Sequence, residues 1–207
     1  MDTHTSGPPY ATAIHRRSSC QQQSGFSILE VLIAIIILSI GMLGAVGMQT
    51  TAMQSNKEAR NQAIASTFAR ELAEKMRGNH TVAIKAAAAD NPYIFDITLE
   101  SATAIATPNV NCFTTGCPIV KDAAIWDVAD WQRRVKDALP TPRVKVCFDS
   151  DPFDSAGKAR WACSVPGGDV AVLKMSWTRN NTAGTLEFAA STGVPVVVVP
   201  LTAGSPQ

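Results

Sequence analysis

Residues 26–48 read FSILEVLIAIIILSIGMLGAVGM, a continuous apolar run holding one ionisable side chain, Glu30. No other feature constrains this chain so tightly. Glu30 is also the single charged side chain between Arg17 and Lys57. About 20 apolar residues in helical form cross a hydrocarbon core. Arg16 and Arg17 precede the run, and the next basic residue is Lys57. The positive-inside rule then predicts a cytoplasmic N-terminus, with everything after Met48 on the far side of the membrane. One such run in 207 residues describes a single-pass anchor on one ordinary domain. It excludes a polytopic membrane protein. A net charge of +1 argues against a chain built around phosphate binding, which needs a basic face, so nucleic acid is not an expected partner.

Glu30 separates the possible uses of the run. A cleaved secretory signal has a shorter apolar region of about 7–15 residues ending in a small-residue site. Ala45-Val46-Gly47 is a weak site of that kind. A plain anchor fits the length. Neither has a use for a carboxylate, which costs about 2.5–3.5 kcal/mol at the centre of a bilayer helix and less toward the interface. An ionisable group inside a membrane helix points to function and calls for a partner.

Ser24-Gly25-Phe26-Ser27-Ile28-Leu29-Glu30 resembles the processing signature of type IV pilins and pseudopilins. The resemblance extends closely over residues 24–78. It implies a leader, residues 1–25, cleaved between Gly25 and Phe26, and N-methylation of the new N-terminal Phe26. It places Glu30 at the fifth position of the mature chain. There its carboxylate is expected to pair with the Phe26 ammonium of a neighbouring subunit. Either charge alone in an apolar bundle is costly, so the pair sets register more than it adds stability. Arg16 and Arg17 lie farther from the cut than in many leaders of this kind. Cys20 follows no apolar run, which argues against a lipoprotein, and it leaves with the leader. The closer resemblance is to PilV-type minor pilins, the pilus modification proteins, through Ala73-Glu74-Lys75-Met76-Arg77-Gly78-Asn79 and an Asp-Trp helix running into Leu139-Pro140. The partners it implies are a prepilin peptidase and N-methyltransferase, other minor and major pilins, and an inner-membrane pilus assembly platform. A type II secretion pseudopilin is the alternative within this class. A membrane-anchored periplasmic binding or enzymatic domain is the alternative outside it.

Helical periodicity persists after the apolar run. Over residues 49–78, Ile64, Phe68, Leu72 and Met76 recur every fourth position beside Ala65, Ala69 and Ala73. Gly78-Asn79 is the expected stop, with Lys75 and Arg77 complementing the C-terminal dipole. Gly41, Gly44 and Gly47 each cost about 1 kcal/mol against Ala in a helix. They read as a close-packing face or as ordinary membrane-helix glycines, and the resemblance implies a third use, a stretch that loosens when the subunit enters a filament.

Residues 79–207 are expected to form the globular part. Residues 81–89 read equally as helix or loop. Residues 91–106 contain a strand around Ile94–Leu99. Residues 122–139 read as an amphipathic helix, with Asp122 as N-cap, Ile125, Val128, Trp131, Val135 and Leu139 on one face, and Pro140 as the stop. Arg133, Arg134 and Lys136 read as its solvated face. Strand patterns follow at residues 143–149, 170–179 and 185–190, the last two joined as a hairpin through residues 180–184. Residues 194–201 suit an edge strand because Pro195 and Pro200 bound them. The expected fold class is α+β: a long N-terminal helix, membrane-spanning in its first half, packed on a C-terminal antiparallel sheet. This is also the architecture the resemblance implies.

Four cysteines remain after the leader: Cys112, Cys117, Cys147 and Cys163. An even count in an oxidising compartment reads as disulfides, with three connectivities open. Cys112–Cys117 and Cys147–Cys163 is the pairing chosen here. A zinc site is the poorer alternative at these spacings. Asp149, Asp151 and Asp154 lack an EF-hand ligand pattern and read as a solvated turn. His80 is the one histidine beyond the leader, and no nucleophile–base set gathers around it in sequence. No enzyme, cofactor or metal is expected.

Overall fold

A computed structural model describes residues 25–114, 116–164, 170–180, 185–187 and 193–201. Arg16, Arg17 and Cys20, the hairpin loop at 181–184 and Phe188 lie outside the described residues. The chain divides into two compact units, residues 1–49 and 50–207. The first helix, α1 (Ile28–Gly78), has its beginning in one and its end in the other.

In the first unit, the described residues from Gly25 onward are helical from Ile28 and exposed throughout. Ser27 caps the helix: its Oγ accepts the Leu29 N–H at 3.3 Å. That puts Glu30 in the first turn, where an acid complements the positive end of the helix dipole.

The second unit is an α+β domain. Two helices lie on a four-stranded antiparallel sheet in the order β1 (Phe95–Thr98), β2 (Arg143–Phe148), β3 (Ala171–Ser176), β6 (Val197–Leu201). The helices are the end of α1 and α3 (Val120–Ala138). A one-turn helix, α2 (His80–Ala83), follows the stop at Gly78-Asn79. The core lies between the helices and one sheet face. Ala65, Ala69, Leu72, Ala73 and Met76 of α1 meet Trp131 and Val135 of α3 over Val144, Val146, Leu173 and Met175. The buried α1 face is centred on its alanines, while Ile64 and Phe68 pack at its margin.

Several expectations are corrected. Helix α3 begins at Val120 with Ile119 in the capping position and no side-chain cap; Asp122 lies in its first turn. The segment 170–179 is not one strand. β3 ends at Ser176, and β4 (Arg179–Asn180) pairs with β5 (Leu186–Glu187) in a separate two-stranded ribbon. The break has a physical cause. The Trp177 indole donates to Glu58 at 3.1 Å and the Thr178 N–H to the Pro140 carbonyl at 2.8 Å, so both turn away from the ladder. β6 is an edge strand, and Pro200 sits within it opposite Val172.

Candidate functional site

Two places concentrate chemistry, one in each unit. The first is the start of α1. Phe26 is 81% exposed and Glu30 is exposed. Phe26, Glu30, Val31, Ala34, Ile35 and Leu38 line one shallow apolar groove along the helix. The i, i+4 spacing of Glu30, Ala34 and Leu38 puts them on one helix face, and Phe26, just before the helix, borders the same groove. Glu30 is thus a single carboxylate set in a surface of Ile, Leu and Val. Among the described residues, α1 is the one helix long and apolar enough to cross a membrane. A Cβ added at Gly41, Gly44 or Gly47 meets nothing within 4 Å. Nothing inside this unit therefore requires glycine at those positions.

The second place is the outer face of the sheet. Strand alternation sends Val144, Val146 and Phe148 of β2 to the core, and Arg143, Lys145 and Cys147 the other way. On β3, Leu173 and Met175 face the core while Lys174 faces out with Cys147. Lys174 is nonetheless wholly buried, because the excursion between β2 and β3 folds back over it. Its Nζ donates to the Asp149 carboxylate and to the Ala162 carbonyl. Asp149, 2% exposed, also accepts the Ser164 N–H at 3.1 Å, the Ser164 hydroxyl and the Asp151 N–H at 3.0 Å. Burial alone would raise the Asp149 pKa. The Lys174 ammonium, the Ser164 hydroxyl and the Asp151 N–H outweigh it and lower the pKa to about 2. Beside this pair, Cys147 is bonded to Cys163 with Cα atoms 6.5 Å apart. Arg143 stacks on Trp161 at 4.3 Å, and the Trp161 indole donates to the Gly193 carbonyl at 2.7 Å.

This corrects the solvated-turn reading for Asp149 alone; Asp151 and Asp154 are exposed, and Asp154 closes a turn. Asp149 is a buried ion-pair member, Asp151 pairs with Arg160, and Asp154 accepts the N–H groups of Ala156 and Lys158. Cys147, Asp149 and Cys163 sit close enough to hold a cation. Both sulfurs are spent in the disulfide, and the carboxylate already serves Lys174. The donor set does not fit a metal. The other disulfide, Cys112–Cys117, closes a short loop with Gly116 at φ +70°, a conformation glycine adopts without strain. It presents Phe113 edge-on to Trp126.

The basic group on α3 is likewise not a free solvated face. Arg134 forms a two-pronged pair with Glu71 of α1 and a third bond to Asp130. Glu71 raises its pKa first of all. Lys136 donates to the Ser101 and Thr103 carbonyls. Nearby, the Trp131 indole donates to the Phe68 carbonyl at 2.9 Å, and Lys75 pairs with Asp127 at 2.8 Å. Burial, then the Asp127 charge, raises the pKa of Tyr93. Arg143 and Lys145 lower that of Asp96 against the opposing effect of burial. These contacts join α1, α3 and the sheet. His80 is exposed and gathers no catalytic partners among the described residues.

Sequence reasoning missed Lys174 and the Ser27 cap. Both had signals: a charge inside the alternating apolar run Val170–Trp177, and a Ser-x-x-Glu spacing before an apolar run.

Comparison with protein families matches residues 20–46 to the prokaryotic N-terminal methylation motif. Comparison with characterised proteins and with solved structures returned no match. The motif supports a type IV pilin-like or pseudopilin protein, a structural class processed by a prepilin peptidase and assembled with other pilins. With the apolar helix, it points to membrane anchoring.

Proposed function

We propose that this chain is a minor pilin of a type IV pilus, of the PilV type, a subunit that helps initiate assembly and sits in the tip complex. Residues 1–25 are its leader. A prepilin peptidase cuts between Gly25 and Phe26 and methylates the Phe26 amine. Before assembly the chain sits in the inner membrane, with its leader in the cytoplasm and residues 79–207 in the periplasm. In the filament, the Glu30 carboxylate of one subunit meets the Phe26 ammonium of the next. The observation that carries this reading is the methylation motif at residues 20–46, with Glu30 alone in an exposed apolar helix.

Two simpler uses of Glu30 are weaker. As a first-turn acid it gains about 0.3–1 kcal/mol from the helix dipole. That is less than the roughly 2.5–3.5 kcal/mol of carrying a carboxylate into a bilayer centre, though the cost falls near the interface. A plain anchor would do as well without it.

The test is the intact mass of the protein from membranes and from sheared surface filaments. The expected mass begins at N-methyl-Phe26 in both. An uncut leader on working protein overturns the class and favours an anchored periplasmic domain. A methylated Phe26 with none of the protein in filaments favours a type II secretion pseudopilin.

A further inference from the structure

We infer that the Cys147–Cys163 disulfide is a redox lock on the buried Lys174. The residues on either side of Cys163 enclose that ammonium: the Ala162 carbonyl accepts from Nζ, and the Ser164 N–H and hydroxyl hold the Asp149 carboxylate against it. Cys147, two residues before Asp149, anchors the other end. The disulfide thus pins Ala162 and Ser164 against β2, while Asp149 is held in place by its own N–H bond to the Val170 carbonyl at 3.0 Å. A buried charge persists only while its partners are held. Once the bond is cut, the 149–164 excursion keeps only non-covalent ties to the sheet: the Ala162 and Ser164 bonds to the ion pair, the Ser150 bonds to Ser164 and the Trp161 contacts.

Closing the lock takes two electrons and two protons from the Cys147 and Cys163 thiols. A disulfide-bearing exchange partner accepts them and becomes a dithiol. The sheet therefore closes fully only in an oxidising compartment. That last use rests on the proposed export of residues 79–207; the lock itself does not.

The experiment uses the full chain in detergent micelles, carrying Cys112→Ser and Cys117→Ser so that one disulfide remains. A water-soluble phosphine reduces it: the phosphine attacks one sulfur and breaks the S–S bond, and water then supplies the oxygen of the phosphine oxide and the two thiol protons. A short pulse of an amine-acylating ester, read by peptide mass spectrometry, reports each lysine. Acylation of Lys174 is expected to rise on the order of 100-fold on reduction, the loop-closure effect for a loop of this length. Lys75, paired with Asp127 elsewhere in the fold, is expected to stay unchanged. An unchanged Lys174, or a rise shared equally by Lys75, overturns the lock. In a second arm, Lys174→Met with Asp149→Leu removes the charge pair. Reduction should then lower the urea midpoint less than it does with the pair present. An equal loss overturns the lock, and the labelling result stands alone if the double variant does not accumulate.

Discussion

Lys174→Met removes the ammonium and leaves the Asp149 carboxylate buried against apolar neighbours, with the Ser164 and Asp151 donors as its remaining partners. Breaking a buried pair from one side typically costs about 3–5 kcal/mol, much of it the penalty of the stranded charge. Domain stabilities are about 5–15 kcal/mol, so the loss is a large share of the total. With a urea dependence of about 1–3 kcal/mol per molar, the midpoint falls by about 1–5 M. Tryptophan fluorescence is a direct assay, since Trp131 and Trp177 are both fully buried. Replacing both partners, Lys174→Met with Asp149→Leu, leaves no stranded charge and should recover most of the loss. The acid limb gives an independent check. Asp149 has a folded pKa of about 2, below its unfolded value. Its contribution is therefore present above about pH 4 and lost as pH falls toward about 2. At 1.36 kcal/mol per unit this is roughly 2–3 kcal/mol. The acid limb should shrink in Lys174→Met, because the partner that holds the pKa down is gone. A single variant within about 1 kcal/mol of wild type, with the acid limb unchanged, would refute the argument that the pair is buried and charged.

Four further outcomes are expected. Glu30→Ala should insert in the membrane as well as wild type or better, yet be depleted from sheared filaments; equal recovery would count against the Glu30–Phe26 pairing. Trp131→Ala removes a fully buried ring and the indole bond to Phe68, and should lower stability by about 3–5 kcal/mol in the same urea assay. Arg134→Ala breaks more hydrogen bonds on paper, but its side chain is 41% exposed, so the expected loss is under about 1 kcal/mol. Gly44→Ala meets open space in the isolated chain, so helix content by circular dichroism should hold or rise; an assembly defect with an intact monomer would place the need for glycine at a subunit contact.

The start of α1 was almost wholly legible. Length, hydropathy and one misplaced acid are local properties, and they single out the apolar helix and Glu30; Gly25 and Phe26 were singled out by the resemblance to a processing signature and stand as a proposal. The strands carrying Val144, Val146, Leu173 and Met175 were also legible, because alternation records which face is buried. The ends of elements were less so. Asp122 looked like a cap because its residue type suits one, but the Ile119 backbone starts the helix earlier. The split of residues 170–179 depends on Glu58 and Pro140, distant partners that propensity does not contain.

The sequence alone determined that this chain has an apolar helix with one carboxylate, followed by an α+β domain. Periodicity and charge are written residue by residue. Only the tertiary structure decided that Lys174 is buried, that Asp149 is its counter-ion and that Ala162 and Ser164 close over both. A lysine's burial depends on what the rest of the chain lays across it, and its free energy on partners many residues away.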